Sequence, residues 1–211
     1  MKKPSHLLKG AIRPLLYKPA PELIIDQDVV LRELRPEDAD PIYAMIEINR
    51  SHLENWLSWI DQIQERADAA DFVRKVSYRD IFDGGWVYGI WYGDRLVGLL
   101  DFNEGDRKLR QVSVGYWLIR PYEGKGIVTR AVVGCLDYVF AESKVLKVLI
   151  KCATDNFRSQ AVPIRLNFNW EGLHRNAGTV KGREVDLEIF SMTAPEWNRT
   201  RERERKSLPT E

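Results

Sequence analysis

The sequence predicts a mixed α/β sheet flanked by helices, and three observations carry that reading. Arg110–Ile119 alternates apolar and polar residues with the period of a half-buried strand, Val112, Val114, Tyr116 and Leu118 falling on one side. From residue 127 to 140 the rows Ile127/Ala131/Cys135/Val139 and Val128/Val132/Leu136/Phe140 form a helical stripe wide enough to pack hard onto a sheet. Strand-like and helix-like segments also interleave along the chain in the order β-α-α-β-β-β-α-β-α-β-β.

The first 28 residues hold Pro4, Pro14, Pro19 and Pro21 and no periodicity, which predicts an irregular extension. Val29–Leu34 reads as a strand. Pro36 opens a helix that carries Ala39, Ile42, Tyr43 and Ile46 on one face, with Pro41 placed to divide it. A second amphipathic helix spans Glu65–Tyr78, after the aromatic-rich run HLENWLSWI. Trp86–Trp91 and Leu96–Asn103 pair as a hairpin over Gly93-Asp94, and Glu104-Gly105-Asp106 supplies the turn into the strand at 110–119. Past the central helix come a strand at Val145–Ala153 and a short helix from Asn156 to Leu166. Asn156 is its N-cap, Pro163 costs it one hydrogen bond, and Asn167 takes the left-handed stop. Trp170–His174 and Glu184–Met192 close the domain as a hairpin around Asn176–Gly182. The segment NRTRERERKSLPTE alternates charges without an apolar face, which predicts a frayed helix or a disordered tail. One domain at 29–197 thus lies between an extension at 1–28 and a tail at 198–211.

Composition excludes several classes of function. In a chain of 211 residues, 32 Lys+Arg against 31 Asp+Glu leave a net charge of +1, so no global field draws nucleic acid, anionic membrane or acidic polymers. Direct nucleic-acid binding is therefore not expected, since the glutamates of the tail cancel much of the field of its arginines. The apolar runs are short and the N-terminus lacks the core of a secretory signal, which predicts a soluble cytoplasmic protein without a membrane partner. Cys135 and Cys152 fall in apolar segments without a Cys/His cluster; buried reduced thiols are expected, and no metal.

The junction that points to chemistry is Arg120-Pro-Tyr-Glu-Gly-Lys-Gly-Ile-Val-Thr129, between the strand at 110–119 and the central helix. Four amides at a helix N-terminus lack internal partners and the axial dipole adds positive potential, so the place suits an anion. Gly124 and Gly126 let backbone approach phosphate oxygens, and Lys125 adds a cation. Alone, a Gly-x-Gly before a helix is more often a tight turn, and this spacing matches neither the Walker pattern nor the dinucleotide fingerprint.

The order strand, EGKGIVTRA, helix, strand, DNFRSQAV, LNF, WEG resembles the GNAT acetyltransferase superfamily over about Val29–Trp197, most closely its ribosomal-protein N-terminal acetyltransferase (RimJ/RimL-like) branch. The resemblance implies the centrally splayed sheet of the acyl-CoA N-acyltransferase fold, with acetyl-CoA as cosubstrate. In that superfamily the pyrophosphate rests on a Gln/Arg-x-x-Gly-x-Gly/Ala loop, which maps onto Glu123, Gly126 and Val128. Two of the three positions depart, so weaker phosphate contact is expected at Glu123 and Val128. The implied cofactor residues are Glu123, Gly124, Lys125, Gly126, Ile127, Val128 and Thr129 on the loop, and Trp117, Leu118 and Ile119 on a bulged strand that splays from 145–153. Asn156 and Ser159 are expected to flank the pantetheine and the thiol.

Direct attack of an amine on a thioester needs a neutral amine, donors for the developing oxyanion and an acid for the departing thiolate. Ser159 suits the acid, although a hydroxyl at a helix start can equally bond the nearby backbone. A backbone amide around Tyr116–Leu118 is the expected oxyanion donor. The position where many relatives carry a basic Glu is Ser113 here, and Gly178 stands where others have an acid. That leaves Glu104, Asp101, Asp106 and His174 as candidate bases, of which His174 is preferred. Trp56, Asn103 and Tyr116 are the expected acceptor contacts, with Trp59 beside Trp56, although aromatics at this spacing also serve as core. The expected function is acetyl transfer from acetyl-CoA to a primary amine, by resemblance a protein N-terminal α-amine of the ribosomal type. A small amine such as an antibiotic or polyamine, and a catalytically poor acyl-CoA-binding module, remain alternatives. Oligomeric state is open, a homodimer included.

Overall fold

The computed structural model describes residues 20–77, 81–82 and 85–207. One eight-stranded sheet runs β1 (Leu23–Ile24), β2 (Val29–Glu33), β3 (Val87–Tyr92), β4 (Arg95–Asp106), β5 (Gln111–Leu118), β6 (Lys147–Ala153), then β8 (Arg183–Thr193) with β7 (Asn169–Val180) on the far edge. Every neighbouring pair is antiparallel except β5 and β6, which are parallel and joined by the crossover helix α3 (Ile127–Glu142). Helices α1 (Ala39–Leu53) and α2 (Arg66–Val76) bury Ile42, Ile46, Ala69 and Val73 against Val87, Leu99 and Trp117 on one face. On the other face, α3 packs both rows of its stripe, with Val128 and Phe140 half-buried at the ends, together with Val162 of α4 (Phe157–Arg165), its C-cap Leu166 and Trp197 of α5 (Ala194–Ser207). A sheet covered on both faces explains why its central strands are apolar on both sides.

Several expectations change. The irregular extension does not reach residue 28: Leu23 and Ile24 pair with Leu31 and Val30, and Ile25 packs where a Cβ on Gly134 would stand, so the bare mid-helix glycine of α3 admits it. Asp26 turns the chain by accepting the Asp28 and Val29 amides and pairs with Arg130 of α3. Residues 1–19 lie outside the described residues. Pro41 does not divide α1, because it occupies the first helical turn, where no N–H is needed. Glu104-Gly105-Asp106 is the end of β4 rather than a turn; Asp106 accepts the Lys108 and Leu109 amides, and the chain reverses there. Residues 198–207 continue the helix α5, which is tied to the domain as far as Arg201. Trp197 and Arg201, one helical turn apart on α5, both bond the Asp137 carboxylate of α3, and Trp197 is almost wholly buried. Asn167 takes the left-handed stop with φ 58°.

Candidate active site

The two central strands are zipped together for only three residues, Gln111–Ser113 against Lys147–Leu149. Beyond them Val114–Leu118 and Ile150–Ala153 share no ladder, and a cleft of about 1390 Å³ occupies the gap. The expected splay is therefore present, but the bulge is not on the strand expected to carry it. It lies on β4 at Asn103, between the pairs Phe102/Val114 and Glu104/Ser113. Tyr116 spans the gap, its hydroxyl donating to the Ser159 carbonyl of α4 at 2.8 Å. That carbonyl is free because the residue four places on is Pro163, which has no N–H to offer it. The hydrogen bond that Pro163 removes from the helix is replaced by one that ties α4 to β5.

At one end of the cleft lies the glycine loop. Gly124 and Gly126 hold φ of 72° and 70°, and nothing stands within 4 Å of where a Cβ would sit on either. The first backbone bond of α3 runs from the Arg130 amide to the Gly126 carbonyl, so the Ile127, Val128 and Thr129 amides have no acceptor within the helix. Open backbone, free amides and a helix N-terminus fit a pyrophosphate. Glu123, Gly124, Gly126, Ile127, Val128 and Thr129 line the cleft, as do Trp117, Leu118, Asn156 and Ser159. Lys125 does not: its ammonium lies over the Tyr122 ring, 4.9 Å from the centroid, because the left-handed turn throws its side chain outward. Ile119 also lies outside the lining; its amide bonds the Val97 carbonyl and its side chain packs in the core. Glu123 accepts from His52 Nε2 of α1 at 2.8 Å and pairs with Arg158 of α4. Arg165 donates to Thr129 Oγ1 at 3.0 Å.

At the other end, Asp101 of β4 sits over Gly115 of β5, its partner in the ladder. A Cβ there would come within 2.8 Å of Asp101 Oδ1 and 2.7 Å of the Asn103 amide nitrogen, so only glycine lets the two side chains meet above the strand. Desolvation pushes the Asp101 carboxyl up to about 6, against the opposing hydrogen bond from Asn103. Asp101 and Asn103 both line the cleft with Tyr116. Across the gap, Asn156 caps α4 by accepting the Ser159 amide at 3.1 Å, so the Ser159 hydroxyl is not spent on capping. It lies 3.2 Å from Cys152 Sγ instead. Burial pushes the Cys152 thiol up to about 11 and holds the Tyr116 phenol well above its usual range, so both stay neutral.

The preferred base, His174, is misplaced: it is exposed on the edge strand β7 and does not line the cleft. The bulge that shifts register after it, between His174 and Gly178, brings Gly178, Thr179 and Val180 to the cleft instead. Glu104 pairs with Lys151 and Asp106 caps a turn, which leaves Asp101 alone of the candidate bases on the cleft wall. The acceptor side is walled by Trp56, Leu57 and Trp59, with Trp59 stacked on Phe72 at 4.8 Å and tilted toward Trp117. Over this mouth the hairpin tip extends Lys181 to Glu54, 3.2 Å away. Among the described residues no group of three His, Cys, Asp or Glu could hold a metal ion, and no helix is long and apolar enough to cross a membrane.

A parallel pair splayed over an anion-binding helix start, with a carboxylate of β4 and a hydroxyl of α4 both lining the gap, defines an acyl-CoA N-acyltransferase cleft. Residues 28–169 match the Acetyltransferase (GNAT) domain family. The chain belongs to that family and is an acetyl-CoA-dependent N-acetyltransferase. It is 31% identical over 180 residues to "Putative ribosomal N-acetyltransferase YdaF" of Bacillus subtilis (strain 168), covering 82% of this chain and 95% of that one. It is 23% identical to the ribosomal-protein-serine acetyltransferase of Escherichia coli (strain K12), over 79% of this chain and 93% of that one. The fold superimposes with TM-score 0.76 on RimL, a ribosomal L7/L12 alpha-N-protein acetyltransferase in complex with coenzyme A, at 20% identity and covering 82% and 98% of the two chains.

Proposed function

We propose that this acetyltransferase acts on a protein N-terminal α-amine. The observation that carries the reading is Asp101: a carboxylate on the cleft wall at the end away from the glycine loop, raised to about 6, suits an acceptor of moderate basicity. An α-amine has a pKa of about 8, two units above Asp101, whereas a lysine ammonium near 10.4 lies more than four units above. Resemblance to ribosomal-protein acetyltransferases supports the same acceptor class. Acetyl-CoA supplies the acetyl group as a thioester. The α3 amides and Gly124–Gly126 would hold its pyrophosphate, and the unpaired edge of β5 would meet its pantetheine amides in the manner of an added strand.

Asp101, steadied by Asn103, takes the proton from the amine nitrogen as its bond to the acetyl carbon forms. Ser159 Oγ delivers a proton to the departing sulfur as the carbon–sulfur bond breaks and takes one back from solvent in the cleft, to which Asp101 returns the proton it removed. The neutral Cys152 thiol is a poor nucleophile, which favours direct attack over an acyl-enzyme. Asp101 on the cleft wall, and the partners His52 and Arg158 that balance Glu123, weigh against a catalytically poor binding module. The test is a pair of peptides, one with a free N-terminus and its lysine blocked, the other with a blocked N-terminus and a free lysine. The free N-terminus is acetylated at least tenfold faster, read as thiol release and mass gain; equal rates would overturn the assignment.

A further inference from the structure

The glycine loop carries less usable positive charge than its sequence suggests. Lys125 lies over Tyr122 outside the cleft, Arg130 lines the cleft but is drawn by its ion pair toward Asp26, in the turn before β2, and Glu123 brings a carboxylate to the mouth. Three free amides suit one pyrophosphate, but a 3′-phosphorylated nucleotide carries a further phosphate that they do not reach.

Helix α4 supplies the missing cations. Arg158 and Arg165 are seven residues apart, so they project from the same side of the helix about 10 Å apart along its axis. Both line the cleft. Each is tethered to a different end of the loop, Arg158 to the Glu123 carboxylate and Arg165 to Thr129 Oγ1. A guanidinium has five donors in a fixed fork, so each can keep its tether and still present donors to a phosphate.

We propose that Arg158 and Arg165 form a two-point phosphate clamp for acetyl-CoA, Arg158 on the pyrophosphate and Arg165 on the ribose 3′-phosphate; this rests on the glycine loop being the acetyl-CoA site. The order of groups along the ligand fixes the assignment. The thioester belongs between Asp101 and Ser159 and the pyrophosphate at the loop, so the 3′-phosphate lies beyond it. Arg158 adjoins Ser159 and the loop entrance, while Arg165 stands two turns further from the chemistry, beside the first turn of α3. Glu123, where the resemblance calls for Gln or Arg, is then the tether that holds Arg158 in place. His52 fixes that carboxylate from α1.

The clamp makes the protein discriminate between acetyl-CoA and its 3′-dephospho analogue. Calorimetric titration of both ligands into the wild type, Arg158→Ala, Arg165→Ala and Arg165→Gln tests it, with circular dichroism as the check on folding. The wild type binds acetyl-CoA about tenfold or more tightly than the dephospho analogue, the size expected for a charge-assisted bidentate contact. In both Arg165 variants that preference collapses to about twofold while affinity for the dephospho analogue is unchanged. Arg158→Ala weakens both ligands by the same factor. Arg165 variants that keep the wild-type preference, or that lose affinity for both ligands equally, overturn the clamp. A wild type that binds both ligands equally overturns it too, and one that binds neither overturns the loop assignment beneath it.

Discussion

The two ends of the cleft are built by different means. The phosphate end is a contiguous run, Glu123–Thr129, whose binding groups are backbone amides and two glycines. The chemical end is assembled from β4, β5, β6 and α4, with Tyr116, Cys152 and Ser159 meeting across a gap that has no ladder and Asp101 lining the same cleft. Function at the first end depends on local conformation and tolerates the side-chain departures at Glu123 and Val128. Function at the second depends on individual side chains held by tertiary contacts, and it tolerates little. Mutations at the two ends should therefore separate binding from turnover.

Gly126→Glu has the largest expected effect. A side chain at φ 70° and a negative charge both enter the anion site, so acetyl-CoA affinity falls by about a hundredfold or more in a titration of folded protein. Asp101→Asn is its counterpart at the other end: kcat falls roughly a hundred- to a thousandfold with acetyl-CoA affinity unchanged. The same substitution stabilises the protein. A carboxyl raised from 3.8 to about 6 on folding is penalised once ionised, so the wild type loses stability as pH rises from about 4 to 6 and stays penalised above. At pH 8 thermal melts should place Asp101→Asn above the wild type by up to about 3 kcal/mol, and at pH 4 the difference should vanish. Ser159→Ala lowers kcat by about ten- to a hundredfold, again without loss of acetyl-CoA binding; an unchanged kcat would mean that the acid lies elsewhere. Tyr116→Phe is the mildest. It leaves the Ser159 carbonyl without a donor and costs about 1–2 kcal/mol in chemical denaturation, an effect that replacing Pro163 by Ala should reduce by restoring the helical N–H.

The same division decides how much the sequence discloses. The anion loop, the stripe of α3, the Asn156 cap and the Asn167 stop are readable because each is specified by neighbours within a helical turn or two. The splay follows from the family resemblance, whereas the position of its bulge at Asn103 depends on registers that no local pattern encodes. Asp101 stands in an apolar strand where a lone carboxylate looks like an edge residue. The clue to it is Gly115, fourteen residues on and opposite it in the ladder, whose bare backbone makes room for the carboxylate. His174 attracts attention as a titratable group near the last hairpin, but a bulge that sets residues 175–177 against Asp186 alone separates it from the wall. Pro163 reads locally as a defect. Only with Tyr116 in place is it the source of the acceptor that fixes α4. The charged tail likewise looks unanchored until Asp137 of α3 is seen to take both Trp197 and Arg201.

The role of Asp101 is tested most directly by the pH dependence of kcat/KM for wild type and Asp101→Asn, measured with two peptides whose α-amines differ in basicity. The wild type rises with pH and bends twice, near pH 6 where Asp101 loses its proton and again at the pKa of the acceptor. Changing the peptide moves the upper bend and leaves the lower one. In Asp101→Asn the lower bend disappears and the plateau drops by about a hundredfold or more. A variant that keeps the lower bend and comes within a few-fold of the wild-type rate would contradict the account and place the base elsewhere in the cleft.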